Sequence, residues 1–199
     1  MFTLPMNNPL KILRNFDKNL SHPVSLLIYG RAAIALGFPD PPDDAGTTMD
    51  VDAILPMKEL DAIIQDGKFW AALDQTNQEL ESGGLYMTHI FQEDQVILSP
   101  NWLENTVPIE LGLNHIQLRR PSTLDLVLTK MMRGNDPKDL EDAGFLIATG
   151  KIRPEELSEA FKTAIVPDVG EIREAFQQAQ LPVMELARKL AVAKSGSVC

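Results

Sequence analysis

The sequence has one cysteine, Cys199, and only three histidines. A single cysteine excludes an intrachain disulfide and a cysteine metal cluster. The histidines are scattered along the chain, so the His and Asp clusters of metal-dependent phosphohydrolases are missing as well. No apolar run approaches the roughly 18 residues that a membrane span requires, and the start, MFTLPMNNPLKILRNF, lacks a signal-peptide pattern. These absences predict a cytoplasmic protein with no membrane partner.

Positive charge is also scarce, with 18 Lys and Arg residues against 28 Asp and Glu residues, for a net charge of -10. Binding to nucleic acid of any sequence depends on cations that neutralise phosphates, so no DNA partner is expected. A local basic patch around Arg119, Arg120, Lys130 and Arg133 stays possible. Excess carboxylates can instead hold divalent cations, provided that they converge in space.

The apolar and helical patterns divide the chain into two parts. Residues 24–30, VSLLIYG, predict a buried strand, and RAAIALGF predicts a short helix directly after it. The loop PDPPDDAG then leads into a second strand over residues 47–55. From residue 122 onward the spacing of apolar residues is helical. We therefore expect an α+β core over residues 1–120, with a small mixed sheet flanked by helices, and a helical region over 121–199.

The second strand carries an anomaly in the stretch GTTMDVDAILP, because buried strands rarely contain charged residues. Asp50 and Asp52 are two residues apart, so their side chains share one face of the strand. Two such carboxylates repel each other unless cations or protons intervene. Mg²⁺ suits them, since it is commonly held by one or two carboxylates together with substrate phosphates. The alternative is a solvent-exposed strand face with two ordinary surface charges.

The order of strand, Gly30, short helix, loop and Asp-Val-Asp resembles the polymerase-beta type nucleotidyltransferase fold. IYGRAAIALGF and TTMDVDAILP resemble, more specifically, the minimal bacterial nucleotidyltransferases that include AbiEii and MenT type toxins. The matching positions in this first block are Gly30, Ala33, Thr48, Asp50 and Asp52. A second block, LDLVLTKMMRGNDPKDLEDAGFLI, matches at Lys130, Arg133, Lys138, Asp139 and Asp142. LSPNWLENTVPIEL is similar to a segment of DUF6036-like members, and the resemblance covers most of residues 24–150.

The resemblance implies a Mg²⁺-dependent enzyme that transfers a nucleotidyl group from a nucleoside triphosphate to an acceptor hydroxyl of tRNA or protein. It further implies a toxin–antitoxin or defence role with an antitoxin-type protein partner. Asp50 and Asp52 would be the metal ligands and catalytic residues. The nucleotide-binding residues would be Gly30, Arg31, Thr48, Lys130 and Arg133. For Lys130 and Arg133 the competing interpretations are a solvated helix face or an ion pair with Asp139 or Asp142.

The chain departs from the family pattern at three places. Arg31 replaces the usual second Gly or Ser of the phosphate turn, where it could contact phosphate or fill the site. Gly46 replaces the usual Arg before the Thr. The third carboxylate has no clean match, and Glu110 is our candidate, with Asp94 as a second and His89 as a polar strand residue of unknown direction. These departures keep an alternative open, a catalytically inactive nucleotidyltransferase-fold module that binds a partner.

Overall fold

The computed structural model describes residues 7–195, without the side chains of residues 88, 89 and 193–195. Cys199 and the side chain of His89 therefore lie outside the described part. The chain divides into two compact units, one of Met1–Gln92 with Val107–Arg120 and one of Glu93–Thr106 with Pro121–Cys199. Residues 93–106, which the sequence placed with the α+β core, thus group with the helical unit.

The first unit contains a five-stranded mixed sheet with helices. Its elements are α1 (Asn8–Asn19), β1 (Val24–Tyr29), α2 (Gly30–Gly37), β2 (Asp50–Leu55), α3 (Leu60–Gln65), α4 (Gly67–Leu80), β3 (Tyr86–Gln92), β4 (Val107–Pro108) and β5 (Ile116–Arg120). The strand order is β3-β2-β1-β5-β4. β1 is antiparallel to β2 and parallel to β5, and β2 is parallel to β3. The predicted α+β class with a small mixed sheet is confirmed.

The second unit is helical, as the sequence predicted. Its helices are α5 (Thr123–Thr129), α6 (Pro137–Gly150), α7 (Pro154–Thr163) and α8 (Gly170–Ser195). α6 begins at Pro137, and the side chain of Asp136 caps it by accepting hydrogen bonds from the amides of Lys138 and Asp139. Within the residues described, none of the helices combines the length and apolar character needed to cross a membrane.

Apolar packing and one buried carboxylate fix α1 in the first unit. The α1 residues Leu10, Leu13 and Phe16 are buried, and the Phe16 ring packs edge-to-face on Phe69 of α4 at 5.4 Å. At the other end of α1, buried Asp17 accepts hydrogen bonds from backbone amides of 114–116, at 2.7 to 3.1 Å. Burial raises the pKa of Asp17, but these hydrogen bonds outweigh it and lower the pKa below the usual value. Asp17 therefore ties α1 to the start of β5.

Asp17→Asn should destabilise the protein by about 2–3 kcal/mol near pH 7, because it weakens hydrogen bonds to a charged acceptor. A carboxyl whose folded pKa is lowered stabilises the fold above its unfolded pKa, and that stabilisation disappears as the pH falls through the folded value. Urea denaturation from about pH 7 to pH 3 should show the difference from wild type shrinking in acid. Asp74→Asn, at an exposed position of α4, is the control. If the stability difference between Asp17→Asn and wild type did not change with pH, the lowered pKa of Asp17 would be contradicted.

Candidate functional site

The candidate site starts from the pairing of β1 with β2. The antiparallel register places Tyr29 opposite Asp52, and Ile28 opposite Ala53. Val51 and Ala53 are fully buried, whereas Asp50 and Asp52 are partly exposed. The two carboxylates therefore share the face of β2 that is turned away from the core, as expected for side chains two positions apart on a strand.

Gly30 forms the turn from β1 into α2, directly beside Asp52. Its φ of +64° lies in the left-handed region, which an L side chain rarely adopts. A Cβ atom at this position would lie 3.8 Å from Oδ2 of Asp52. The Asp52 carboxylate therefore lies against the first residue of α2, where the helix dipole favours negative charge and anionic ligands.

Tyr29 lies near the two aspartates, although the sequence indicated only that it belongs to a buried strand. Burial raises the pKa of the Tyr29 phenol well above its usual value, and the negative charges of Asp52 and Asp50 raise it further. The phenol is therefore neutral at physiological pH and lies within electrostatic range of both carboxylates. Its ring packs edge-to-face on Phe91 of β3, with centroids 5.8 Å apart. No local sequence signal indicates this role, because it follows from the strand register.

Two other predicted site residues bond to neighbouring acids. The Thr48 hydroxyl donates a 2.7 Å hydrogen bond to Oδ1 of Asp50. Arg31, whose side chain is 22% exposed, places Nη2 2.7 Å from Oδ1 of Asp44. Thr48 thus orients a carboxylate, and the Arg31 guanidinium is ion-paired to the loop before β2. Their predicted roles in nucleotide binding stay predictions.

The pair of Asp50 and Asp52 fits a hard divalent cation. Both residues are partly exposed on one strand face, and the Asp52 carboxylate lies beside the N-terminus of α2. Mg²⁺ accepts such a site, because substrate phosphates and water complete its coordination. Among the side chains described, no group of three or more His, Cys, Asp or Glu residues has metal-binding geometry. β3, the parallel neighbour of β2, contains no acidic residue.

Glu110 does not join the two aspartates. It is exposed and follows β4, which pairs with β5 at the far edge of the sheet. β5 and β1 lie between β4 and β2, and three inter-strand spacings separate the outer two by about 14 Å. The strand order therefore does not place Glu110 beside Asp50 and Asp52 as a third carboxylate. The sequence could not show this, because the order of strands in a sheet cannot be read from local residue spacing. Asp94, the other candidate, is an exposed residue of the second unit.

In the second unit, Lys130 lies in a buried cluster of charges. Its Nζ atom is 2.7 Å from Oδ2 of Asp142 and 3.2 Å from Oδ1 of Asp139. The exposed fractions of these side chains are 8%, 1% and 5%. Arg133, which is 64% exposed, places Nε 2.6 Å from the other oxygen of Asp139. The ion pairs that the sequence analysis considered as an alternative to phosphate binding are thus present. Phosphate binding by Lys130 and Arg133 stays a prediction.

Comparison with known families agrees with the predicted fold. A family described as nucleotidyltransferase of unknown function (DUF6036) matches residues 11–174. The chain belongs to this family, and the resemblance of its sequence to DUF6036-like nucleotidyltransferases is confirmed. Neither the search of curated proteins nor the search of solved structures returned a match.

Gly30→Ala should destabilise the protein by about 1–2 kcal/mol, because alanine pays the steric cost of the left-handed conformation. The 3.8 Å to Asp52 leaves room for a methyl group, so the cost comes from the backbone. Gly67→Ala at the start of α4 is the control, since no atom lies within 4 Å of its Cβ position. Urea denaturation of both variants tests this. An equal effect of the two substitutions would contradict a strained turn at Gly30.

Lys130→Met should destabilise the protein by about 3–5 kcal/mol, because it leaves buried Asp142 and Asp139 without this cation. Lys138→Met removes a lysine from an exposed pair with Glu141 and should cost less than about 1 kcal/mol. Urea denaturation of the two variants at neutral pH measures the difference. If Lys130→Met were tolerated as well as its control, Lys130 would not be a structural cation.

Proposed function

We propose that this member of the nucleotidyltransferase family is a Mg²⁺-dependent enzyme that uses a nucleoside triphosphate as substrate. The nucleotidyl group passes to a hydroxyl of an acceptor, which is RNA or protein. A toxin–antitoxin or defence role with a protein partner is part of the same proposal and rests on the resemblance to such toxins.

One observation carries the proposal, the position of the Asp52 carboxylate against the Gly30 turn at the start of α2. Asp50 lies on the same strand face as Asp52, whose carboxylate adjoins a helix end that favours phosphate. Gly30 has no side chain, which leaves the backbone of the turn accessible to a phosphate group. Carboxylates and a phosphate-binding turn are thus neighbours within the first unit.

Nucleotidyl transfer forms a bond between the acceptor oxygen and the α-phosphorus, breaks the bond to the β-phosphate and releases pyrophosphate and the hydroxyl proton. Asp50 and Asp52 would hold Mg²⁺, which when bound activates the attacking hydroxyl and stabilises the leaving oxygen. Thr48 fixes one Asp50 oxygen through its hydrogen bond. The neutral Tyr29 phenol adds a buried hydroxyl beside the carboxylates without adding charge.

A second candidate function is a binding module that holds a nucleotide or protein partner without catalysis. It is favoured by the lack of an acidic residue in β3 and by the distance of Glu110 from the aspartates. A third carboxylate commonly helps to activate the attacking group as a general base. The two candidate functions differ in whether the protein transfers the nucleotidyl group to an acceptor or only binds the nucleotide.

The test is incubation of the full chain with Mg²⁺, four α-³²P-labelled ribonucleoside triphosphates, and either total tRNA or a protein extract. Asp50→Asn/Asp52→Asn should reduce label transfer by at least about 100-fold, because loss of metal ligands exceeds the usual effect of their outer-shell partners. Asp40→Asn/Asp43→Asn is the matched control, since it removes the same charge from the preceding loop. Calorimetry with MnCl₂ alone should show binding to wild type and to the control only.

Transfer that survives in Asp50→Asn/Asp52→Asn would contradict the proposal, as would wild-type protein that binds no Mn²⁺. Binding of Mn²⁺ and triphosphate by wild type, without transfer to either acceptor, would instead establish the binding module. Triphosphate binding can be followed separately by equilibrium dialysis with the same labelled nucleotides.

A further inference from the structure

An ion pair connects the start of α2 with the loop that precedes β2. Arg31 is the second residue of α2, and its Nη2 lies 2.7 Å from Oδ1 of Asp44. Asp44 belongs to the 3-10 turn Asp43–Thr47, which packs against α2. The Arg31 side chain is mostly shielded from solvent at 22% exposure, whereas Asp44 is 49% exposed. The sequence analysis left two roles open for Arg31, contact with phosphate or obstruction of the site, and neither involves Asp44.

The 3-10 turn is held by short-range hydrogen bonds around Asp44. The Thr47 hydroxyl donates to the backbone oxygen of Asp44 at 2.8 Å. Ala45 is fully buried, and its amide donates to the Pro42 oxygen at 2.9 Å. The backbone oxygen of Thr47 also accepts a 3.2 Å hydrogen bond from Nδ2 of Asn8. A displacement of Asp44 would therefore be transmitted to the whole turn.

The turn ends next to the carboxylates. The Thr48 amide donates to the Ala45 oxygen at 3.4 Å, which connects Thr48 to the turn. The Thr48 hydroxyl then donates to Oδ1 of Asp50 at 2.7 Å. A continuous series of contacts thus runs from Arg31 through Asp44 and the turn to the Asp50 carboxylate.

We propose that Arg31 is a positioning residue, which with Asp44 holds the 43–48 segment so that Thr48 orients Asp50 for a divalent cation. This inference rests on the proposed function, in which Asp50 is a metal ligand. Arg31 acts on Asp50 through Asp44 and Thr48 and does not itself bind phosphate. The guanidinium suits this role, because it is a planar cation and its Nη2 lies 2.7 Å from Oδ1 of Asp44.

Removal of Asp44 distinguishes a positioning role of Arg31 from phosphate binding by Arg31. If Arg31 were a phosphate ligand, Asp44 would compete with the phosphate for the guanidinium, and its removal would leave anion affinity unchanged or raise it. If Arg31 and Asp44 act as one unit, removal of either should weaken cation binding to the same extent. Removal of both should then weaken it no further, because residues that share one interaction are not additive.

The test is calorimetric titration of the full chain with MnCl₂, and with inorganic triphosphate in the presence of Mg²⁺. Arg31→Ala and Asp44→Ala should each weaken Mn²⁺ binding about two- to fivefold, the range that a partly exposed ion pair supports. The double variant should match the single ones, and Arg31→Lys should restore part of the affinity. Asp43→Ala, at the neighbouring exposed acid, should bind Mn²⁺ as wild type does.

Unchanged Mn²⁺ affinity in both single variants would overturn the inference. So would triphosphate binding that is weaker in Arg31→Ala but unchanged or tighter in Asp44→Ala. If wild type binds no Mn²⁺, the proposed function fails, and amide hydrogen exchange at Ala45 and Thr48 then decides whether the ion pair holds the turn. Faster exchange there in both variants, with no change at Ile28 in the core of β1, would support that part, and unchanged exchange would overturn it.

Discussion

The antiparallel register of β1 and β2 is the constraint on which the candidate site depends. It sets Asp52 opposite Tyr29, the last residue of β1, and so beside the Gly30 turn. A shift of one residue would turn Asp50 and Asp52 into the core and expose Val51 and Ala53. Burial of two carboxylates in an apolar core costs several kcal/mol, so the aspartates themselves help to specify the register. The two aspartates, which are unusual in a strand, thus favour one register of β2 against β1.

Each unit places a pair of acids in a different environment. In the helical unit, Asp139 and Asp142 are buried around Lys130, so loss of this cation would leave uncompensated buried charge. In the α+β unit, Asp50 and Asp52 are partly exposed, and their named neighbours include the hydroxyl groups of Thr48 and Tyr29. The Thr48 hydroxyl orients Asp50 through its hydrogen bond. Asp50 and Asp52 thus lie on a partly exposed strand face, where solvent reaches both residues.

The sequence predicted the features that depend on local pattern. The strand, the glycine turn and the helix of residues 24–37 follow from an apolar run and small residues. The shared face of Asp50 and Asp52 follows from strand periodicity. The sequence did not predict the features that depend on contacts between distant segments. Tyr29 reaches the aspartates through strand register, and Arg31 meets Asp44 through the fold of a proline-rich loop. Glu110 lies away from Asp52 because of strand order, which residue spacing does not encode.

The central claim is that Asp50 and Asp52 form a divalent cation site at the start of α2. Paramagnetic broadening tests it most directly, because Mn²⁺ broadens backbone amide resonances according to their distance from the ion. At substoichiometric Mn²⁺, the account predicts that the amide signals of Gly30, Asp50 and Asp52 broaden first. Broadening that begins in the 40–44 loop or around Asp139, or that is absent everywhere, would contradict it.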